Sequence, residues 1–189
     1  MRKLVLLSAF IANFFVCQFA FSKNASDFPT HCKSDEYVYL NAKMANVVYP
    51  PKGGYNLIKN DKLLSVCVDK KNEPFGRVVY RYGAIGNVEM EKIATSSEKF
   101  GIFTRSTSNH TGENIISFSV GKFSYYVTEA TGQGTGIGLA VFNSGKQVVD
   151  LFSGNDQGVD YEFGLVEIHF EAVSSPVFMK RKPTDKWRY

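Results

Sequence analysis

The side chains best placed for acid–base work are Glu167, His169 and Glu171, which alternate within the stretch from Phe163 to Val173. Residues two apart share one face of a strand. An imidazole would then lie between two carboxylates, which are the ingredients of a small hydrolase if they line a concave pocket. The open polar face of a half-buried strand calls for the same residue types, with Val166, Ile168 and Phe170 supplying its apolar side, and that account is preferred. Glu89 and Glu91 form a second carboxylate pair, of the kind used in glycoside chemistry when it faces a cleft. Cross-strand pairing with Arg81 explains Glu89 more simply. His31 and His110 sit in polar stretches with no shared spacing, so neither a metal site nor a triad is indicated locally. No catalytic residue is assigned.

Two glycine motifs invite a nucleotide reading and fail it. Gly132, Gly134, Gly136 and Gly138 are spaced strictly by two, whereas a dinucleotide fingerprint needs G-x-G-x-x-G between a strand and a helix. A hairpin loop is expected there. Ser144-Gly-Lys-Gln147 lacks the earlier glycine and the hydroxyl residue of a phosphate loop, and it reads as a turn. No cofactor and no metal are implied. Cys32 and Cys67 remain after removal of the N-terminal stretch, and an even pair in an oxidising compartment predicts a disulfide. It would tie a polar start to the first strand of the central meander and stabilise by roughly 3 kcal/mol.

That meander positions everything else. Leu64, Val66 and Val68 alternate with Ser65 and Cys67, and a polar loop from Asp69 to Gly76 follows. Val78, Tyr80 and Tyr82 then alternate with Arg77, Val79 and Arg81. Gly83-Ala-Ile-Gly-Asn87 supplies a hairpin connection. Pairing Tyr82 with Val88 sets Arg81 against Glu89 and Tyr80 against Met90. Further strands are expected at Tyr37–Leu40, Phe100–Arg105, Ile115–Val120, Lys122–Glu129, Leu139–Asn143 and Gln147–Phe152. Ala42–Val48 fits either a strand or a helical turn. The fold class is all-β: a mostly antiparallel sandwich or curved, barrel-like sheet of about eight to ten strands.

The chain opens with Arg2 and Lys3, an apolar run through Phe14-Phe-Val16, and small residues at Ala20-Phe-Ser22. This is the layout of a secretory signal peptide over residues 1–22, and it predicts periplasmic or secreted localisation. The run is shorter than a membrane span needs, so no stable span is expected in the mature form. Residues 23–179 make one β domain and 180–189 a basic tail, read as solvated. The formal charge of +4 falls to +2 without Arg2 and Lys3. The tail carries five basic residues against Asp185, which leaves the body slightly acidic and no nucleic-acid surface indicated.

The segments Ser65-Val-Cys-Val68, Val78-Val-Tyr-Arg-Tyr-Gly83 and Asn87-Val-Glu-Met-Glu91 resemble a family of small, exported, uncharacterised β-rich proteins of Gram-negative bacteria. Tyr125-Tyr-Val-Thr128 and Gly138 to Lys146, followed by Gln147-Val-Val-Asp-Leu151, are similar too. The resemblance covers roughly Lys62 to Leu151. It departs where the pattern implies a cysteine soon after Leu151 and the chain has Phe152-Ser153, and it brings no activity. The residues therefore favour a non-enzymatic envelope binding protein, of inhibitor or immunity type, with another envelope protein as partner. Its contact would be the loop carrying Lys70, Lys71, Pro74 and Phe75, with Phe75 as apolar anchor. The alternative is a small envelope hydrolase using His169 with a neighbouring glutamate.

Overall fold

A computed structural model describes residues 29–108, 111–131, 134–156, 159–160 and 175–185. Among them there is no helix. The strands are β1 (Tyr37–Val48), β2 (Asn56–Val68), β3 (Val78–Ala84), β4 (Asn87–Ala94), β5 (Phe100–Ser108), β6 (Thr111–Val120), β7 (Phe123–Thr131), β8 (Gly134–Asn143), β9 (Lys146–Asp156), β10 (Val159–Asp160) and β11 (Phe178–Lys180). All belong to one sheet. Its hydrogen-bonded order is β11-β5-β6-β7-β8-β9-β1-β2-β3-β4, with β10 attached to β9.

The sheet is rolled nearly into a barrel, which resolves the sandwich-or-barrel alternative. β4 and β5 stand near opposite ends of the pairing order, yet only Thr95 to Lys99 join them. Five residues span at most about 18 Å. Rolling brings strands remote in that order onto one core. The Tyr80 ring of β3 lies 4.9 Å from Phe118 of β6 and 6.3 Å from Tyr125 of β7, and Phe118 stacks on both Phe100 and Tyr125. Leu40, Met44, Leu64, Val66, Val127, Leu139 and Leu151 complete the lumen. Each side chain of this size contributes about 1.5–3 kcal/mol when fully buried. The period-two pattern in the sequence is thus a lumen-in, solvent-out pattern.

Four hairpin turns gather at one end: residues 49–55, Ile85-Gly86, Gly121-Lys122 and Ser144-Gly145. The third and fourth touch, Ser144 N–H donating to the Lys122 carbonyl, and the first meets β9 where Tyr49 Oη donates to Asp150. The opposite end is filled by Phe75, edge-on to Tyr39, together with Val177 from the segment leading into β11.

Several expectations are corrected or resolved. The β3–β4 turn is tighter than the five-residue loop read from Gly83 to Asn87, because Ala84 pairs Asn87. An irregularity between Tyr82 and Gly83 then moves the register, so that Arg81 faces Glu91, Tyr82 faces Met90 and Tyr80 faces Lys92. A slip of two keeps each side chain on its face. Gly83 permits the bulge, since a Cβ there would lie 2.2 Å from the Asn87 carbonyl oxygen. Ala42–Val48 is the second half of one long strand. Gly134, Gly136 and Gly138 belong to β8 rather than to a loop, and a Cβ on Gly136 would meet the Phe152 ring at 2.6 Å. Lys180 is in β11, which pairs in parallel with β5. Beyond β11, Arg181 N–H donates to the Ile102 carbonyl and Asp185 accepts from Tyr126. The strand read at Phe163–Val173, residues 1–22 and the tail from residue 186 lie outside the described residues.

Candidate functional site

Two groups of residues singled out by the sequence are brought into definite geometry. The first surrounds Cys32 and Cys67, which form the predicted disulfide with Cα atoms 5.5 Å apart. Cys67 and Ser65 point outward from β2, as their alternation with Leu64 and Val66 requires. Residues 29–36 lie over this outer face. His31 N–H donates to Ser65 Oγ at 3.1 Å, Ser65 Oγ to Asn41 Oδ1 at 2.6 Å, and Asn41 Nδ2 to the Pro29 carbonyl at 2.8 Å. His31 Nε2 donates to the Gly83 carbonyl at 3.2 Å.

Arg81 is buried beneath that strap. Its guanidinium donates to Glu36 at 2.5 and 3.0 Å, to Glu91 at 2.7 Å and to the His31 carbonyl at 3.2 Å, and it reaches Cys67 Sγ at 3.4 Å. Glu36 also accepts from Arg77 at 3.0 Å and from the Lys33 N–H at 2.9 Å. Burial alone pushes the Glu36 carboxyl up. The hydrogen bonds from Arg81 and Lys33, with the charges of Arg81 and Arg77, outweigh it and hold the group below the usual carboxylate range.

Cys32, Glu36 and Cys67 come close enough to suggest a metal site. Their donor atoms are already engaged, however, two in the disulfide and the others with cationic partners. A carboxylate so placed is also a poor general base, because its lone pairs are committed. The cluster is structural: it clamps the strap to the barrel. Sequence reasoning paired Arg81 with Glu89 and did not identify Glu36, which lies forty-five residues away with no local signal. Glu89 is instead bonded to Lys62 at 2.6 Å. With Glu91 on Arg81, both members of that carboxylate pair are engaged.

The second group is the loop between β2 and β3. Lys70, Lys71, Asn72, Glu73 and Pro74 are exposed, but Phe75 is only 2% exposed and belongs to the core. It does not serve as an outward anchor. An aromatic ring beside Tyr39 at the end of an apolar lumen is more stable inside than in water. The loop is fastened at its base. Gly76 N–H donates to both Asp69 carboxylate oxygens at 3.1 and 3.0 Å, and Asp69 N–H to the Arg77 carbonyl at 3.3 Å. Ser175 Oγ donates to the Phe75 carbonyl at 2.5 Å.

Glu167, His169 and Glu171 lie outside the described residues, as does His110. Among the described residues no helix is long and apolar enough to cross a membrane. No family model, curated protein or solved structure matches the chain.

Proposed function

We propose that the protein is a non-enzymatic binding protein of the periplasm or cell exterior, acting as an inhibitor or immunity-type partner of a cell-envelope enzyme. The observation that carries this reading is the fastening of the 69–76 loop. Phe75 is sunk in the core and the Asp69 carboxylate closes the base, so Lys70, Lys71 and Pro74 are presented on a loop whose ordering cost is met within the fold. A preorganised loop with two adjacent ammonium groups suits an acidic cleft on another protein. The disulfide and the signal-like N-terminus are compatible with an oxidising compartment outside the cytoplasm.

The test uses protein recovered from the compartment to which cells deliver it, immobilised and exposed to envelope extract. The expected result is one stoichiometric partner whose own turnover falls when the protein is added, with capture and inhibition both lost in Lys70→Glu/Lys71→Glu. These side chains are exposed, so the double variant should keep its fold by far-UV spectroscopy. A captured enzyme that is bound and inhibited equally well by the double variant would remove the loop from the function. Absence of any inhibited enzyme would sink the reading itself.

A further inference from the structure

The end of the barrel remote from the Lys70 loop has a different chemistry. β2 runs from one end to the other, about 40 Å of strand at 3.3 Å per residue. At the far end lie the four hairpin turns. Among the described residues, most of the large apolar side chains left exposed are concentrated there: Val48, Ile58, Ile85, Val88, Val120 and Val148, ranging from 37% exposed at Val120 to 56% at Ile85. A monomer tolerates such residues scattered singly, but their concentration at one end marks a contact surface.

Strand alternation sharpens the picture. Val48 and Ile58 share parity with Met44 and Leu64, and Val120 with Phe118, so they continue the lumen lining past the rim. Partly buried Tyr82, Met90, Phe123 and Val149 pack against the core as it approaches this end. Deeper in, the Tyr80, Phe118 and Tyr125 rings fill the lumen, so the apolar surface is shallow and broad rather than a deep pocket.

The turns themselves carry only positive charge. The turn segments 49–55, 84–88, 120–123 and 143–148 contain Lys52, Lys122 and Lys146 and no aspartate or glutamate. Lys62 behind the rim lies over the face of Tyr82, 5.5 Å from the ring centre, and Lys122 of the turn lies over Phe123 at 5.7 Å. The acids near these turns are Asp61 and Glu89, paired with Lys59 and Lys62, and Asp150 and Asp185, which accept from the neutral hydroxyls of Tyr49 and Tyr126 and keep their charges. The loop at the other end, by contrast, contains Asp69 and Glu73 beside its lysines.

From this juxtaposition of apolar hairpin tips with acid-free, lysine-bearing turns at one end of the barrel, we infer that this end docks on the surface of an anionic lipid bilayer. The tips enter the headgroup layer, where apolar side chains leave water while the lysines stay among phosphates. Several tips at one end can meet a planar interface together, and the lysines of the turns suit negative headgroups. The protein is then peripheral and stands on end, with the Lys70 loop directed away from the lipid. The inference uses different residues from the proposed function and does not depend on it.

The test is co-sedimentation of the recovered protein with vesicles of phosphatidylcholine alone or mixed with phosphatidylglycerol. Binding is expected to the mixed vesicles, and to weaken in salt. Each lysine-to-glutamate change at 52, 122 or 146 should weaken it by about fivefold or more. Ile58→Ser/Ile85→Ser/Val120→Ser should weaken it by roughly tenfold or more. All six positions are exposed, and an unchanged unfolding midpoint would show that the fold is intact. Equal affinity for both vesicle types would overturn the inference, as would no binding to either or full binding by the triple variant. Lys70→Glu/Lys71→Glu should bind vesicles normally, which separates this test from that of the proposed function.

Discussion

Replacing Arg81 with methionine tests the central clamp most directly. The change leaves the Glu36 side chain, which has no solvent exposure, without its bidentate partner, and it frees the half-exposed Glu91 and the His31 carbonyl. Arg77 and the Lys33 N–H would still contact Glu36, so the loss belongs at the low end of the range for a broken buried pair, about 3 kcal/mol. Glu36→Gln/Arg81→Met should lose less than the sum of the single changes, because no buried charge is then left unmatched. Urea unfolding with an unchanged slope reads both values. The pH dependence supplies a second handle. In the native protein the Glu36 carboxyl is held below its ordinary value of 4.5. A depressed carboxyl contributes stability above its unfolded value and loses it as pH falls through the folded one. In Arg81→Met, burial dominates and pushes the carboxyl up, so acid relieves the strain. The gap between native and variant protein should therefore begin to narrow above pH 4.5, as the variant's raised carboxyl takes up its proton, and keep narrowing below it as the native carboxyl does. A loss under about 1 kcal/mol at neutral pH, the size expected of an exposed ion pair, would refute the reasoning.

Thiol titration of the unfolded, unreduced protein should detect no free thiol from Cys32 or Cys67, and reduction should lower stability by about 3 kcal/mol. Phe75→Ala should cost about 3–5 kcal/mol in the same urea assay, since the ring is buried against Tyr39; an outward anchor would leave stability unchanged. Burial, the charge of Glu89 and an opposing hydrogen bond with Asn60 leave the Tyr82 hydroxyl raised to about 12. Because the folded value exceeds the unfolded one near 10, stability should be intact below that pH and fall as pH rises towards 12, with ultraviolet titration showing Tyr82 ionising late.

The strands were legible because a rolled sheet with a filled lumen imposes strict alternation, and Val78, Tyr80 and Tyr82 carry it plainly. Turn chemistry located the β3–β4 hairpin but not its register. Gly83 is read equally well as a loop residue and as the site of a bulge, and only the crowding of Asn87 and Glu89 around it decides. The glycines of β8 misled for a related reason, since an absent side chain can serve a turn or the close approach of a ring such as Phe152. Phe75 sits among five exposed loop residues, and polarity gives no hint that the loop dips inward at that point. Glu36 and Arg81 meet through a fold in which the start of the chain crosses three strands, a relation with no local periodicity. The apolar hairpin tips were each visible as turns, but their gathering at one end is a property of the topology alone.

The short strand β11 has a consequence for how the molecule is assembled. Its partner Phe100 precedes Phe178 by about half of the barrel's length in sequence, and Phe100 N–H also donates to the Val177 carbonyl. Until that distant stretch arrives, β5 carries a row of unpaired backbone groups on its outer edge, and the aromatic stack beneath it is uncovered on one side. Contacts so remote in sequence form late, since their loop-closure entropy must be met before they stabilise anything. An unpaired edge is meanwhile a template for any other extended chain. The final residues of the barrel thus act as its closure against neighbouring copies. A chain shortened before Val177 should accumulate as oligomers joined along β5, even though every strand of the central meander is present.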